Sequence, residues 1–477
     1  MTQILFGQSY FLRFDPKLWD AMQPYPPLGT LYAASSLKAR GYDVALFDAM
    51  LAESEEEWAR ALDLHQPKFA ILYEDNFNYL SKMCLLRMRD AGFQMISMAK
   101  RRGCIVIAAG ADMTDHSQLY LDKGADFVLL GEGEETLVEL MDALTGHSAV
   151  LPESIIGLTS RRTEHPSRRP DIRALDSLPF PAWELVDVER YRQIWLRRHG
   201  YYSMNMVTTR GCPYHCNWCA KPIWGQRYNS RSPENVVEEL KWLEDTYHPD
   251  HIWFADDILG LKPGWLEKFS ALVKERDAAV PFKCLQRADL VTEQIAAALR
   301  QAGCKTVWVG AESGSQKILD AMDKGDKVED IYRAAHLLRQ CSIEVGFFLQ
   351  FGYPGEEWQD IQLTLQMVRD CMPDDIGISV SYPLPGTRFF ERVKLELGDK
   401  QNWVDSEDLA MLHRGPYPTE FYRTLHARVH HEFRLRQAWR KRDVARLLRA
   451  PYYLLGMART DMRLRQIDRR GSSMPHG

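Results

Sequence analysis

The sequence predicts an α/β protein made of two successive strand–helix units closed by a basic helical end. Three observations carry that prediction. Short apolar runs alternate with longer amphipathic ones through the first 150 residues. The alternation breaks in a proline- and arginine-rich stretch and resumes after residue 203 for six more repeats. From Phe421 to Gly477 the chain carries 14 Lys and Arg against 4 Asp and Glu, a local +10 in a chain of net charge −5. At 477 residues, 45% apolar and 26% charged, the whole reads as a globular protein of two or three domains. The negative balance gives no bulk affinity for nucleic acid, and no stretch approaches the roughly 20 apolar residues that span a bilayer.

In residues 1–150 the runs 4–6, 44–47, 69–73, 105–109 and 127–130 read as buried strands. Helical patterns at 29–40, 53–64, 83–101 and 135–144 lie between them. This order predicts a doubly wound, flavodoxin-like parallel sheet. Such sheets bind ligands beyond the carboxyl ends of their strands. The turns there make Pro27, Gly29, Gly110, Gly131 and Glu132 candidate ligand contacts, since glycine lets a large flat ligand approach the backbone. Gly131-x-Gly133 is too short for a dinucleotide fingerprint.

Residues 151–203 read as a linker, charged and proline-broken at 161–170 and strap-like at 175–183. From 204 to 395, strand-like runs at 204–209, 252–255, 282–285, 306–309, 344–350 and 376–381 alternate with helical stretches. Six units are fewer than the eight of a closed barrel, and chemistry is expected at the strands' carboxyl ends. Asp256-Asp257, Gln286-Arg287, Glu312-Ser313-Gly314 and Gly352 to Glu356 fall there. Asp256 and Asp257 also suit helix caps, and Arg287 suits a surface pair with Asp289.

Cys212-Pro213-Tyr214-His215-Cys216-Asn217-Trp218-Cys219 places three thiols in a C-x₃-C-x₂-C spacing directly after the first strand of this unit. Two metal chemistries suit it. Structural zinc wants four ligands, with His215 as the fourth. An iron–sulfur cube held by three thiolates leaves one iron open. The other six cysteines (Cys84, Cys104, Cys284, Cys304, Cys341 and Cys371) are scattered among apolar patterns, as in a reducing cytoplasm. No secretory signal is read at the start.

The cysteine spacing, with Trp218 before its last member, resembles the signature of the radical S-adenosylmethionine (SAM) superfamily. The resemblance implies a partial (β/α)₆ barrel and a [4Fe–4S] cluster on Cys212, Cys216 and Cys219. It also implies SAM held by Arg287 at its carboxylate, by Glu312 and Ser313 near its amine or ribose, and by Gly352 under its adenine. Trp218 would help shield the cluster. One electron would split SAM to a 5′-deoxyadenosyl radical that takes hydrogen from an unactivated carbon. "PPLGTLYAASSLKARGYDVALFD" and "GADFVLLGEGEETL" resemble the cobalamin-binding domain that precedes many such barrels. The Asp-x-His-x-x-Gly motif is missing, so cobalamin there would have no protein histidine on its cobalt.

The expectation is a cobalamin-dependent radical SAM enzyme, foremost a C-methyltransferase. A ring-forming relative, similar to the anaerobic magnesium-protoporphyrin monomethyl ester cyclase, is its neighbour. A methylthiotransferase is disfavoured because only Cys84 and Cys104 lie in the first domain. A non-catalytic cobalamin or iron–sulfur sensor is the alternative from another class. The expected partners are a hydrophobic or tetrapyrrole-like small molecule and an electron donor such as flavodoxin or ferredoxin. Residues 396–477 read as a helical cap, with helices at 419–440 and 444–462 interrupted at Pro451. Their mixed basic and apolar faces suit a peripheral membrane contact.

Overall fold

A computed structural model describes residues 3–83, 85–163, 165–219, 223–399 and 401–471. Cys84 lies outside the described residues. The first sheet comprises β1 (Ile4–Gly7), β2 (Val44–Leu46), β3 (Phe69–Tyr73), β4 (Ile105–Ala109), β5 (Phe127–Leu129) and β6 (Leu158–Thr159). Its order is β2-β1-β3-β4-β5-β6. All pairs are parallel except β5–β6. Apolar side chains on both faces of each strand demand cover on both sides. Helices Leu28–Ala39 and Glu134–Thr145 supply it on one face, and Glu56–His65 and Leu86–Arg101 on the other. The helix expected at 83–101 is split, with Tyr79–Met83 separate from Leu86–Arg101. β6 lies inside the stretch read as linker: residues 158–159 close the sheet edge.

The second sheet comprises β7 (Ser203–Met206), β10 (His251–Phe254), β11 (Phe282–Gln286), β12 (Cys304–Glu312), β13 (Glu344–Phe351) and β14 (Asp375–Val380). A two-stranded ribbon, β8 (Thr209–Arg210) with β9 (Asn229–Ser230), stands apart from it. The six strands run parallel in the order β14-β13-β12-β11-β10-β7, with a helix after each of the first five in sequence. The strand expected over 204–209 is therefore two pieces. β7 ends at Met206, and Thr209 turns back to pair with Ser230. Part of the lumen is filled by Trp308 stacked on Phe348 at 4.7 Å. Gly346 makes room, since a Cβ there would lie 2.5 Å from the Trp308 ring.

The core of the second sheet runs on into Tyr10, Tyr25 and helix Leu28–Ala39, whereas the two faces of the first sheet form clusters of their own. Asn205 Nδ2 donates to Pro26 O at 3.0 Å, and Tyr25 Oη lies 3.0 Å from Ser203 Oγ. Arg210, beside the cysteine loop, reaches back to Glu132 at 3.0 Å and Glu134 at 2.7 Å. All three side chains are buried.

The carboxyl-terminal helices differ from the expectation. Thr419–Arg440 is one helix; the stretch after it is in two pieces, Val444–Leu447 and Ala450–Gly471, so the break falls at 448–449 and Pro451 sits in the first turn of the second piece. Proline is tolerated there because first-turn N–H groups have no helical partner. The pair runs mainly along the outer helix Trp358–Cys371, where Arg369 pairs with Glu432 at 2.7 Å. The mouth is reached by the first turn of Thr419–Arg440, through Tyr422 beside Gly352, and by the preceding segment, through Met411 beside Gly352 and Trp403 against Tyr382.

Two outcomes follow from these contacts. Arg210→Ala leaves two buried carboxylates without their cation, a loss of about 3–5 kcal/mol, read as a fall in the urea midpoint. The Glu432 carboxyl is pushed up by burial, but Arg369, Arg428 and Arg436 outweigh this and hold it at about 2. A depressed carboxylate contributes stability above its unfolded value and loses it as the pH falls toward the folded one. Docking of the terminal helices is therefore expected to weaken between about pH 4.5 and 2. Hydrogen exchange along residues 419–440 will read this, and Glu432→Gln will remove the dependence.

Candidate active site

The cysteine loop starts where β7 stops, and Asp256 fixes that point. Its carboxylate accepts from Thr208 N (2.7 Å), Thr208 Oγ1 (3.1 Å), Thr209 N (2.7 Å) and Thr209 Oγ1 (2.8 Å). Burial raises Asp256 to about 6, against these bonds. Asp256 is thus a loop clamp at the head of β10, not a helix cap. Asp257 beside it pairs with Lys82 at 3.3 Å. Gly211 follows with φ +79°, and a Cβ there would lie 2.3 Å from Arg227 O, so only glycine lets the loop leave the ribbon.

Asn217 pins the far side of the loop. Its N–H donates to Met322 O at 3.0 Å, its Nδ2 to Ala321 O at 2.8 Å, and its Oδ1 accepts from Tyr353 Oη at 2.8 Å. Trp218 packs beside a cluster of Ile318, Met322, Tyr353, Phe389 and Val393, with its indole N–H buried and unpaired. Cys212 is buried, Cys216 and Cys219 are half-buried, and His215 is exposed. Among the described residues no three His, Cys, Asp or Glu side chains converge as they would on a single ion. In a cube each thiolate takes a different iron, so the sulfurs need not meet at one point. Arg287 Nη1 lies 3.7 Å from Cys216 Sγ, a cation and donor aimed at a prospective thiolate. The donor set fits an iron–sulfur cube.

Around Arg287 the mouth carries a buried charge cluster. Arg287 is 4% exposed, so its pairing with Asp289 at 3.0 Å is not a surface pair. It also pairs with Asp326, donates to Lys324 O at 2.8 Å, and lies over the Tyr214 ring at 3.6 Å. Its fork is thus engaged within the protein and not open toward a carboxylate. Lys324 pairs with Glu312 at 3.2 Å. Glu312 sits at φ +57°, next to a register shift in β12 between Gly310 and Glu312. A glutamate in that conformation costs of order 1–3 kcal/mol and persists where surroundings fix it.

Two further candidates are occupied by the chain itself. Ser313 is fully buried, and its Oγ lies 3.1 Å from Thr364 Oγ1, so it secures the turn. Gly352, at φ +79°, donates to Glu356 at 2.7 Å. A Cβ on it would meet the Met411 sulfur at 3.0 Å, so its open side is filled. Sequence reasoning missed Asn217, Lys324 and Asp326. Asp323-Lys324-Gly325-Asp326, a charged turn straight after a helix, was the available signal for the last two.

In the first sheet the glycine turns likewise close on their own chain. Gly29 N donates to Asp75 at 3.0 Å, and a Cβ on Gly29 would lie 3.2 Å from Asp75. One on Gly110 would meet Glu74 Cβ at 2.8 Å, and one on Gly131 the Arg168 Nε at 3.1 Å. Pro27 is buried as the residue before helix Leu28–Ala39, and Glu132 is committed to Arg210. The open space lies elsewhere. A cavity of about 200 Å³ runs from Tyr10, Asp75 and Phe77 to Asn205, Trp253 and Lys283. It therefore joins the carboxyl ends of β1 and β3, where the strand order reverses, to the barrel lumen, as expected for a ligand crevice. Its lining holds no histidine. Its volume is below the roughly 300–1,000 Å³ of small-ligand pockets. A corrin does not fit it as it stands.

A family model described as the radical SAM superfamily matches residues 206–368. The chain is 27% identical over 378 residues to an uncharacterized methyltransferase of Pyrococcus horikoshii, covering 77% of this chain and 78% of that one. It is 26% identical over 332 residues to the anaerobic magnesium-protoporphyrin IX monomethyl ester cyclase of Synechocystis sp., covering 67% of this chain and 63% of the relative. Among solved structures it superposes on the radical SAM methyltransferase TsrM of Kitasatospora setae, solved with tryptophan and a SAM analogue, with a TM-score of 0.68. That match covers 84% of this chain and 77% of the other at 18% identity, and it shows the shared fold. With its three-cysteine loop at the carboxyl edge of a six-stranded parallel sheet, the chain carries a radical SAM domain over residues 206–368.

Proposed function

We propose that the protein is a radical SAM enzyme acting on a small molecule, with Cys212, Cys216 and Cys219 holding a [4Fe–4S] cluster. The observation that carries this is the cysteine loop itself, clamped by Asp256 and pinned by Asn217, with the Arg287 guanidinium 3.7 Å from the Cys216 sulfur. When bound, the cluster and SAM supply one-electron cleavage of a sulfonium and hydrogen abstraction from carbon. The protein's part is to hold, orient and enclose. Arg287 lowers the electron density on Cys216. Glu312 and Lys324, opposite charges 3.2 Å apart at the mouth, match the ammonium and carboxylate of an amino-acid end. Each would exchange its present partner for one of those groups.

The proposed organisation is a cobalamin-binding-like domain over 1–150, a linker over 151–203, a barrel over 204–395 and a helical region over 396–477. The TsrM structure with cobalamin and cluster bound supports the first of these through its shared fold, at a TM-score of 0.67 and 19% identity. The crevice as it stands is smaller than a corrin. C-methylation is the reading supported by the Pyrococcus and TsrM names. Ring formation is the second reading, supported by the Synechocystis relative.

A cytoplasmic location is supported by eight free cysteines among the described residues, and an external one-electron donor of the flavodoxin or ferredoxin type by the chemistry. Contact with an anionic membrane surface is supported by the stripe Val444, Leu448, Tyr452 and Leu455, exposed between Arg446, Arg449 and Arg459. No helix among the described residues is long and apolar enough to cross a membrane.

Anaerobic reconstitution with iron and sulfide is expected to give visible charge-transfer absorbance that Cys216→Ala abolishes. An unchanged spectrum contradicts the assignment. Reduced, reconstituted protein given SAM is expected to release 5′-deoxyadenosine, and its absence rejects the radical reading. Equilibrium dialysis is expected to show hydroxocobalamin retained by the protein. Lack of retention removes cobalamin while leaving the radical chemistry.

A further inference from the structure

Lys283 lies on the inner face of β11 and lines the cavity between the two sheets. Its ammonium lies 5.1 Å from the centre of the Trp253 ring and 5.4 Å from that of Tyr25. Among the described residues it has no hydrogen bond and no ion pair. Desolvation pulls Lys283 down to about 8, with Asp375 acting in the opposite direction. The surrounding charges do not neutralise it. His251, on the neighbouring strand, is itself pulled down to about 3 by burial and by Lys283. The carboxylate that lines the cavity, Asp75, accepts from Gly29 N and Phe77 N at 3.0 and 3.1 Å. A half-buried cation without a counter-charge is costly, and two aromatic faces offset only part of that cost.

We propose that Lys283 is the anchor for an oxyanion, carboxylate or phosphate, on a substrate whose flat apolar body lies in the cavity against the touching Tyr25 and Trp253 rings. The proposal rests on the reading above in one respect: it takes the cluster end of the barrel as the reacting end. Four residues of strand separate Lys283 from Arg287, roughly 13 Å at about 3.3 Å per residue. Arg287 borders the cysteine loop, so the anion is held far from the reacting carbon. Binding energy collected at such a distance fixes the position of the carbon without touching it.

The test is calorimetric and needs no turnover. Indole-3-propionate and its neutral amide, indole-3-propionamide, are titrated into full-length, anaerobically reconstituted protein. The acid is expected to bind at least about tenfold tighter than the amide. Lys283→Met should erase that preference and Lys283→Arg keep it. Equal binding of acid and amide, no saturable binding of either, or a preference that survives in Lys283→Met overturns the proposal. The melting temperature of ligand-free Lys283→Met gives the second reading. It is expected to equal or exceed that of the wild type, since an uncompensated charge is removed at nearly constant volume. A clear fall means the lysine is structural and overturns it as well. A protein that discriminates acid from amide through Lys283 yet releases no 5′-deoxyadenosine refutes the radical reading alone. One that releases it but does not discriminate refutes only the anchor.

Discussion

One carboxylate decides where the first barrel strand ends. Asp256 accepts two backbone and two hydroxyl hydrogen bonds from Thr208 and Thr209, and so terminates β7 and starts the ribbon from which the cysteine loop departs. Without that clamp the apolar run after Ser203 would continue as ordinary strand. Cys212 and Cys216 would then share one face of a sheet and Cys219 the other. Strand pairing places Asp256 correctly because β10 lies beside β7 in parallel register, Phe254 against Met206. The chemistry of the loop is therefore a consequence of sheet order. A neighbour's carboxyl end supplies the ligand that bends the chain.

The same logic sorts what was legible in the sequence from what was not. Parallel strands buried on both faces write themselves as short apolar runs, and these located both sheets. The left-handed conformations of Gly211 and Gly352 were not read from the sequence. What approaches each glycine was not legible. At Gly29, Gly110 and Gly352 the near neighbour is another part of this chain (Asp75, Glu74, Met411), brought there by folding and absent from the local pattern. Arg210 and Glu132 are 78 positions apart, and nothing near either announces the pair. The break in the last helical stretch was legible near Pro451: it falls at 448–449 and leaves the proline in the first turn of the second piece, where an N–H has no helical partner to lose.

Charge is distributed in a way that composition hides. Seen as totals, the chain is nearly balanced. In space, the mouth concentrates Arg287, Lys324, Glu312, Asp289 and Asp326 within one mutually paired cluster beside the cysteine loop. Buried pairs of this sort add little net stability, because desolvation consumes the attraction. Their usefulness is that each charge can be transferred to an incoming group of the right sign with no new desolvation of the protein. A zwitterionic ligand of the kind proposed would exchange one set of ion pairs for another.

Lys283 is the contrast that gives this argument its force. The buried cations Arg210, Arg287 and Lys324 each have a carboxylate within 3.2 Å, whereas the half-buried Lys283 has none. Asp375, three strands away on β14, exerts its field on Lys283 only at longer range. An unpaired ammonium beside two touching aromatic rings weakens the apo protein, and a methionine there would fill the same space at lower cost. The cavity beside it is bounded on its other side by the first sheet, through Tyr10 and Asp75. A barrel of six strands is open along one flank, and the amino-terminal sheet closes that flank. The counter-charge missing from the barrel has to enter through the space the two sheets leave between them, so the ligand that brings it is read by both.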